Sequence, residues 1–155
     1  MNETPKEGKK LAAYHSRMNP ELCDLLFIKI MQFLSTNKLY RDPSYTTRQL
    51  AIDLNTNTRY ISTAVAIHTG NNYNTLVNSM RLRDACKLLK SSRYAEFTAE
   101  EIGLTVGFCS RQSFYTAFTK AMHTTPRAYR LQFTKSKMGN GSEPDTKTDI
   151  DSETI

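Results

Sequence analysis

No stretch of this sequence approaches membrane-spanning length, and no apolar run follows the early lysines as a secretory leader would require. Cysteine is scarce and odd in number. Cys23, Cys86 and Cys109 lie far apart in apolar surroundings, which argues against a disulfide framework and for reduced core thiols of a cytoplasmic protein. The histidines His15, His68 and His123 stand at no metal-ligand spacing with those cysteines, so no metal site is expected. A glycine-rich phosphate loop, a nucleophile elbow and paired catalytic carboxylates are all missing, so the chain is expected to be no enzyme and to use no cofactor. Exposed aromatics on a sheet or groove, the platform for single-stranded RNA, are missing too.

Acidic residues are absent locally, and this absence is the informative one. From Ile102 to Ser142 there is no Asp or Glu, while Arg111, Lys120, Arg127, Arg130, Lys135 and Lys137 lie inside. From Leu54 to Arg83 there is again none, with Arg59, Arg81 and Arg83 supplying the charge. An ordinary solvated surface mixes its signs, whereas one that approaches phosphates excludes acids. The net charge is +6 over 155 residues. The end of the chain from Thr134 carries three lysines against five acids, or −2, which leaves +8 on the rest. A polyanionic partner fits that balance, and the length suffices for one good core or two very small ones.

Phe97 to Arg130 reads as helix, turn, helix. Thr98 with Glu101 three residues later forms a capping-box pattern, and Ile102 and Val106 form an apolar face. Gly103 lets another helix cross closely, and Gly107 supplies a left-handed turn. Ser110 caps the next helix, whose buried stripe is Phe114, Ala117 and Phe118. Its other face shows Arg111, Gln112, Tyr115, Thr116 and Lys120, all donors or acceptors and none acidic. Arginine pairs with guanine and glutamine with adenine in the major groove.

A related unit precedes it. Thr47 opens a short helix with Leu50, Ala51 and Leu54 inside, Asn57 caps the next helix, and Ile61, Ala64 and Val65 are its buried residues. Thr58, Arg59, Ser62 and Thr63 are its exposed face. Leu50 and Ala51 match Ile102 and Gly103 at an offset of 52, whereas Ile61, Val65 and Gly70 match Phe114, Phe118 and His123 at 53. One residue has been added in the second turn.

The expected class is all-α, with about seven helices. Residues 1–18 form a flexible lead-in, 19–73 the first helix-turn-helix unit, 74–91 a connector helix, 92–135 the second unit, and 136–155 a disordered acidic tail. The first helix, opened by Asn19-Pro20-Glu21, has apolar residues wider than one face; this favours a doubly buried packing helix over a partner surface. The connector spans roughly 24 Å and would act as a strut, letting the two second helices meet successive major grooves about 34 Å apart. Arg81 in it is expected to pair with Asp84 or Asp53. Thr125-Pro126 starts a closing helix with Tyr129, Arg130 and Phe133.

Two helix-turn-helix units on a long helix resemble the DNA-binding domain of AraC/XylS transcription regulators. The resemblance is carried by Ile102-Gly-Leu-Thr-Val-Gly-Phe-Cys-Ser-Arg-Gln-Ser-Phe-Tyr-Thr-Ala-Phe, by Thr125-Pro126 and Tyr129-Arg130, and more loosely by Tyr60-Ile61-Ser62 and Met80-Arg81-Leu82. It covers roughly Leu22 to Phe133, and Lys38-Leu39-Tyr40 ending at Asp42-Pro43 is similar to members from Bacteroides-like bacteria. It implies sequence-specific binding to double-stranded promoter DNA in the cytoplasm, at the nucleoid. By position, Arg59, Ser62, Thr63, Arg111, Gln112, Tyr115 and Thr116 would read bases. Thr47, Asn57, Thr98, Ser110 and Lys120 would contact phosphates. The chain departs from the family where Gly103 replaces the usual alanine, and where Thr119 and His123 stand at positions commonly lysine and glycine. With fewer than about 20 residues before the first helix, no built-in sensor domain and no small-molecule effector are expected. The competing reading is an accessory factor that kept the fold and docks on another regulator or on RNA polymerase.

Overall fold

The computed structural model describes residues 18–139; the lead-in and the acidic tail fall largely outside that range. Among the described residues seven α-helices run in order: α1 (Pro20–Asn37), α2 (Thr47–Asp53), α3 (Thr58–Thr69), α4 (Tyr73–Lys90), α5 (Ala99–Thr105), α6 (Arg111–Met122) and α7 (Pro126–Gly139). Short 3₁₀ turns at Leu39–Arg41 and Ser92–Tyr94 link α1 to α2 and α4 to α5. No strand occurs among the described residues, so the all-α expectation holds.

Capping side chains set the helix starts. The side-chain oxygens of Asn19, Thr46, Asn57, Asn72, Thr98 and Ser110 each accept a backbone N–H from the first turn that follows, satisfying donors a helix leaves open. Thr46 and Thr98 stand 52 apart, Asn57 and Ser110 stand 53 apart, so the caps repeat with the core. Between them, Asn55 (φ 51°) and Gly107 (φ 110°) make the corresponding positive-φ turn residues. The next N–H in each unit, from Thr56 or Phe108, returns to the carbonyl of Ala51 or Gly103. The added residue of the second turn is therefore Cys109. It is exposed, not the core thiol its surroundings suggested, while Cys23 is buried and Cys86 half-buried. The helices α3 and α6 end at left-handed Gly70 and His123 (φ 68° and 56°), and at His123 a side chain occupies a conformation that favours glycine.

Two cores form along α4. The first gathers Ile30, Leu34, Leu50, Ile61 and Val65 around Leu76, Val77 and Met80. The second gathers Ile102, Val106, Phe114 and Phe118 around Leu82, Ala85 and Leu89. Phe114 is fully buried, with ring centroids 5.2 Å from Phe108 and 5.6 Å from Phe118. Burying each such ring stabilises by about 2–3 kcal/mol. A Cβ at Gly103 would lie 2.5 Å from Phe114 Cδ1. Glycine where the family has alanine thus accommodates the large ring beside it.

The connector spans roughly 27 Å, yet the two units also touch. A Cβ at Gly107 would lie 2.5 Å from the carbonyl oxygen of Arg41, so the second turn packs on backbone of the Leu39–Arg41 turn. That turn is pinned to α4 by Asp84. Its Oδ2 accepts from Tyr40 Oη at 2.6 Å and from Arg41 Nε and Nη2 at 2.9 and 2.6 Å. Burial alone would push the Asp84 carboxyl up; these bonds and the Arg41 charge outweigh it and hold it below the usual range. Arg81 pairs with neither Asp84 nor Asp53, because Arg41 takes Asp84 and Asp53 accepts from Tyr45 and Gln49. Instead it donates to the carbonyls of Tyr40 and Asp42 and to Asn78 Oδ1.

Two further differences concern the ends. Helix α1 buries Cys23, Ile30 and Leu34, but Leu22, Leu25 and Ile28 are 59%, 55% and 50% exposed. Among the described residues it packs chiefly on α3 and the Leu39–Arg41 turn, which cover one side of it. Helix α7 continues to Gly139, past the expected start of the tail at 136, because no breaker precedes that glycine. Its body is held by Arg130 Nη1, which donates to the Phe97 carbonyl at 2.6 Å, and by Lys90 Nζ, which sits 4.0 Å from the Phe133 ring centroid.

Candidate nucleic-acid interface

The second helix of each unit presents one polar face. On α6, Arg111, Gln112, Thr116 and Lys120 are exposed, with Gln112, Thr116 and Lys120 in one i, i+4 column. Tyr115 is half-buried; its ring meets Phe114 edge-on, and the Arg111 guanidinium lies over it at 5.0 Å from the centroid. The tyrosine therefore orients the arginine by a cation–π contact as well as lining the surface. On α3, Arg59 and Ser62 are exposed, and Asn57, Thr58 and Tyr60 flank Arg59 in a shallow depression.

Thr63 does not belong to that face. It is 4% exposed, although its counterpart Thr116 is open. Helix α3 is enclosed by α1, α2 and α4, which widens its buried arc to Ile61, Thr63, Ala64 and Val65, whereas α6 buries only Phe114 and Phe118. Thr63 cannot touch a base without α3 separating from its neighbours.

The expected phosphate contacts fare unequally. Asn57 and Ser110 are exposed, each with its side-chain oxygen already accepting a backbone N–H, at 2.9 and 3.1 Å. Thr47 is half-buried at the first position of α2, behind the capping Thr46. Thr98 is poorly suited to a phosphate. Both its N–H and its hydroxyl donate to Glu101 Oε2, at 2.7 and 2.9 Å, and Glu100 adds a second negative charge. Those bonds hold Glu101 below its ordinary range, so it stays ionised. Nearby, Arg111, Arg127 and Arg130 line a surface depression of about 400 Å³ with Thr98 and Glu100. Arg127 and Arg130 were not among the expected site residues, though the acid-free stretch that contains them was the signal for this cluster.

The second helix of each of the two repeated helix-turn-helix units thus carries a polar face without acidic residues. The family model described as "Helix-turn-helix domain" matches residues 50–132, more than half of the chain. The chain belongs to the AraC-type helix-turn-helix family. This AraC-type chain is also similar to solved structures. One is the C-terminal domain of AraT, a response regulator from Geobacillus stearothermophilus, at 28% identity over 75% of this chain and 88% of that one, with a TM-score of 0.61. Another is the C-terminal domain of the two-component response regulator yesN from Fusobacterium nucleatum, at 26% identity over 65% and 93%, with a TM-score of 0.55. A Listeria innocua protein of unknown function, 19% identical over 67% and 93% with a TM-score of 0.57, shares the fold. No curated protein matches the chain significantly. The AraC-type assignment makes it a DNA-binding transcription regulator. Among its described residues no helix is long and apolar enough to cross a membrane, and no cluster of His, Cys, Asp or Glu has metal-site geometry.

Proposed function

We propose that the protein binds promoter duplexes sequence-specifically with α3 and α6 in adjacent major grooves. The observation that carries this reading is the acid-free face of α6, where Arg111, held over Tyr115, stands beside exposed Gln112 and Thr116. Arg111 and Gln112 at the start of α6 suit guanine and adenine, and Thr116 one turn on suits either. Arg59 and Ser62 supply the first unit's thinner readout. Asn57, Ser110, Lys120, Arg127 and Arg130 position the backbone, and α4 together with the Gly107–Arg41 contact sets the spacing of the two helices. Replacing Arg111 with alanine is expected to cost about 1–3 kcal/mol at the preferred site and to relax preference at one base. A uniform loss on all sequences in a mobility-shift series would instead make Arg111 a phosphate contact.

One observation favours a second role as an accessory factor that docks on another regulator or on RNA polymerase. Among the described residues, Leu22, Leu25 and Ile28 leave an apolar strip open on α1. Charge substitutions there that leave duplex binding intact but abolish promoter activation would establish it.

A further inference from the structure

Between the two units lies a cavity of about 380 Å³ that the groove-reading account does not use. Thr47 of α2 lines it on one side, Tyr73, Asn78 and Arg81 of α4 form its floor, and Cys109 and Ser113 close it from the second unit. Tyr73 is 6% exposed, yet its hydroxyl has no hydrogen-bond partner. Leaving such a group unmatched is costly. Arg81 is half-buried beside it, with no carboxylate in salt-bridge range; the ion pairs among the described residues are Arg41–Asp84 and His68–Asp24. The Asp42 carboxylate is near enough to interact with the Arg81 charge, but its hydrogen bonds come from Ser44, and the Asp53 carboxylate accepts from Tyr45 and Gln49. Of the five guanidinium N–H groups, Arg81 directs one to Tyr40, one to Asn78 and one to Asp42, leaving one on each terminal nitrogen. The first turn of α4, an 18-residue helix, opens here as well, and its dipole favours negative charge.

We propose that this cleft binds a phosphoryl group, held by the Tyr73 hydroxyl and the Arg81 guanidinium. The group comes either from the backbone of bound DNA, which rests on the duplex-reading proposal, or from a free phosphorylated small molecule. Burial pushes the Tyr73 phenol up to about 12, so the hydroxyl is a donor at neutral pH. A bound phosphoryl group would join α2, α4 and the second turn, and so fix the placement of α6 relative to α3.

Tyr73→Phe tests this cleanly, because the hydroxyl it removes holds nothing in the fold; its melting temperature is expected to match or exceed the wild type. In one arm, backbone amide NMR follows titration with inorganic phosphate against chloride at fixed ionic strength. Saturable shifts at Tyr73 and Cys109, about tenfold weaker in Tyr73→Phe, support a free-ligand source. In the second arm, mixed-sequence duplex DNA is bound by both proteins. An affinity loss of about tenfold in the variant, equal across sequences, supports a backbone phosphate as the source. Phosphate binding by a protein that binds no duplex would sink the DNA reading and leave the anion site standing. If neither phosphate shifts nor duplex affinity differ between the two proteins, the site is refuted.

Discussion

A methyl group at Gly107 would stand 2.5 Å from the Arg41 carbonyl oxygen and 2.7 Å from its C and Cα atoms. The obstacle is backbone, and that backbone is anchored, since Arg41 is bonded to Asp84. The turn would have to retreat by most of an ångström, an overpacking cost of about 1–3 kcal/mol. The backbone at φ 110° adds about 1–2 kcal/mol for any residue with a side chain. Gly107→Ala is therefore expected to lose about 3–4 kcal/mol. Gly70→Ala is the matched control, with φ 68° and nothing within 4 Å of a Cβ, so it bears only the conformational part, about 1 kcal/mol. Urea unfolding followed by circular dichroism reads both. With a slope of about 1–2 kcal/mol per molar, the midpoint falls by roughly 2 M for Gly107→Ala and by under about 1 M for Gly70→Ala. Equal losses would refute the argument that Gly107 serves the close approach of the two units.

Three further outcomes follow from particular side chains. Asp84→Asn is expected to cost about 2–3 kcal/mol at neutral pH, since Arg41 loses its counter-charge in a mostly buried site. The Asp84 carboxyl lies below its ordinary 3.8 in the folded state; its stabilisation is complete above the unfolded value and is lost as pH falls through the folded one. The gap in urea midpoint between wild type and Asp84→Asn should therefore shrink as pH drops below about 4; a gap constant down to pH 2 would contradict the ion-pair reading. His123→Gly relieves a left-handed side-chain conformation and should raise stability by about 0.5–1 kcal/mol, visible as a higher Tm in calorimetry.

The repeated units were legible because caps, turn and core recur locally. Thr98 with Glu101, Ser110, and the Phe114–Phe118 stripe are all encoded within a few residues of where they act. Contacts between units were not legible in the same way. Tyr40 and Arg41 meet Asp84 more than forty residues away, and nothing near Gly107 in the chain announces that it faces Arg41. Thr63 and Thr116 are equivalent in spacing, and only the enclosure of α3 by neighbouring helices separates them. The exposed side of α1 was illegible for a related reason. Apolar residues around a helix state how much could be covered, and the described neighbours cover one side. Arg81 has Asp84 three residues away in the chain, yet Arg41 holds that carboxylate, and Asp53 is held by Tyr45 and Gln49.

If α3 and α6 both read bases, one chain recognises two boxes. Selection from randomised duplex DNA at two salt concentrations tests it most directly. The expected result is a motif of two boxes one helical turn apart that persists at the higher salt, where non-specific binding weakens. Salt-sensitive binding with no enriched motif would contradict it.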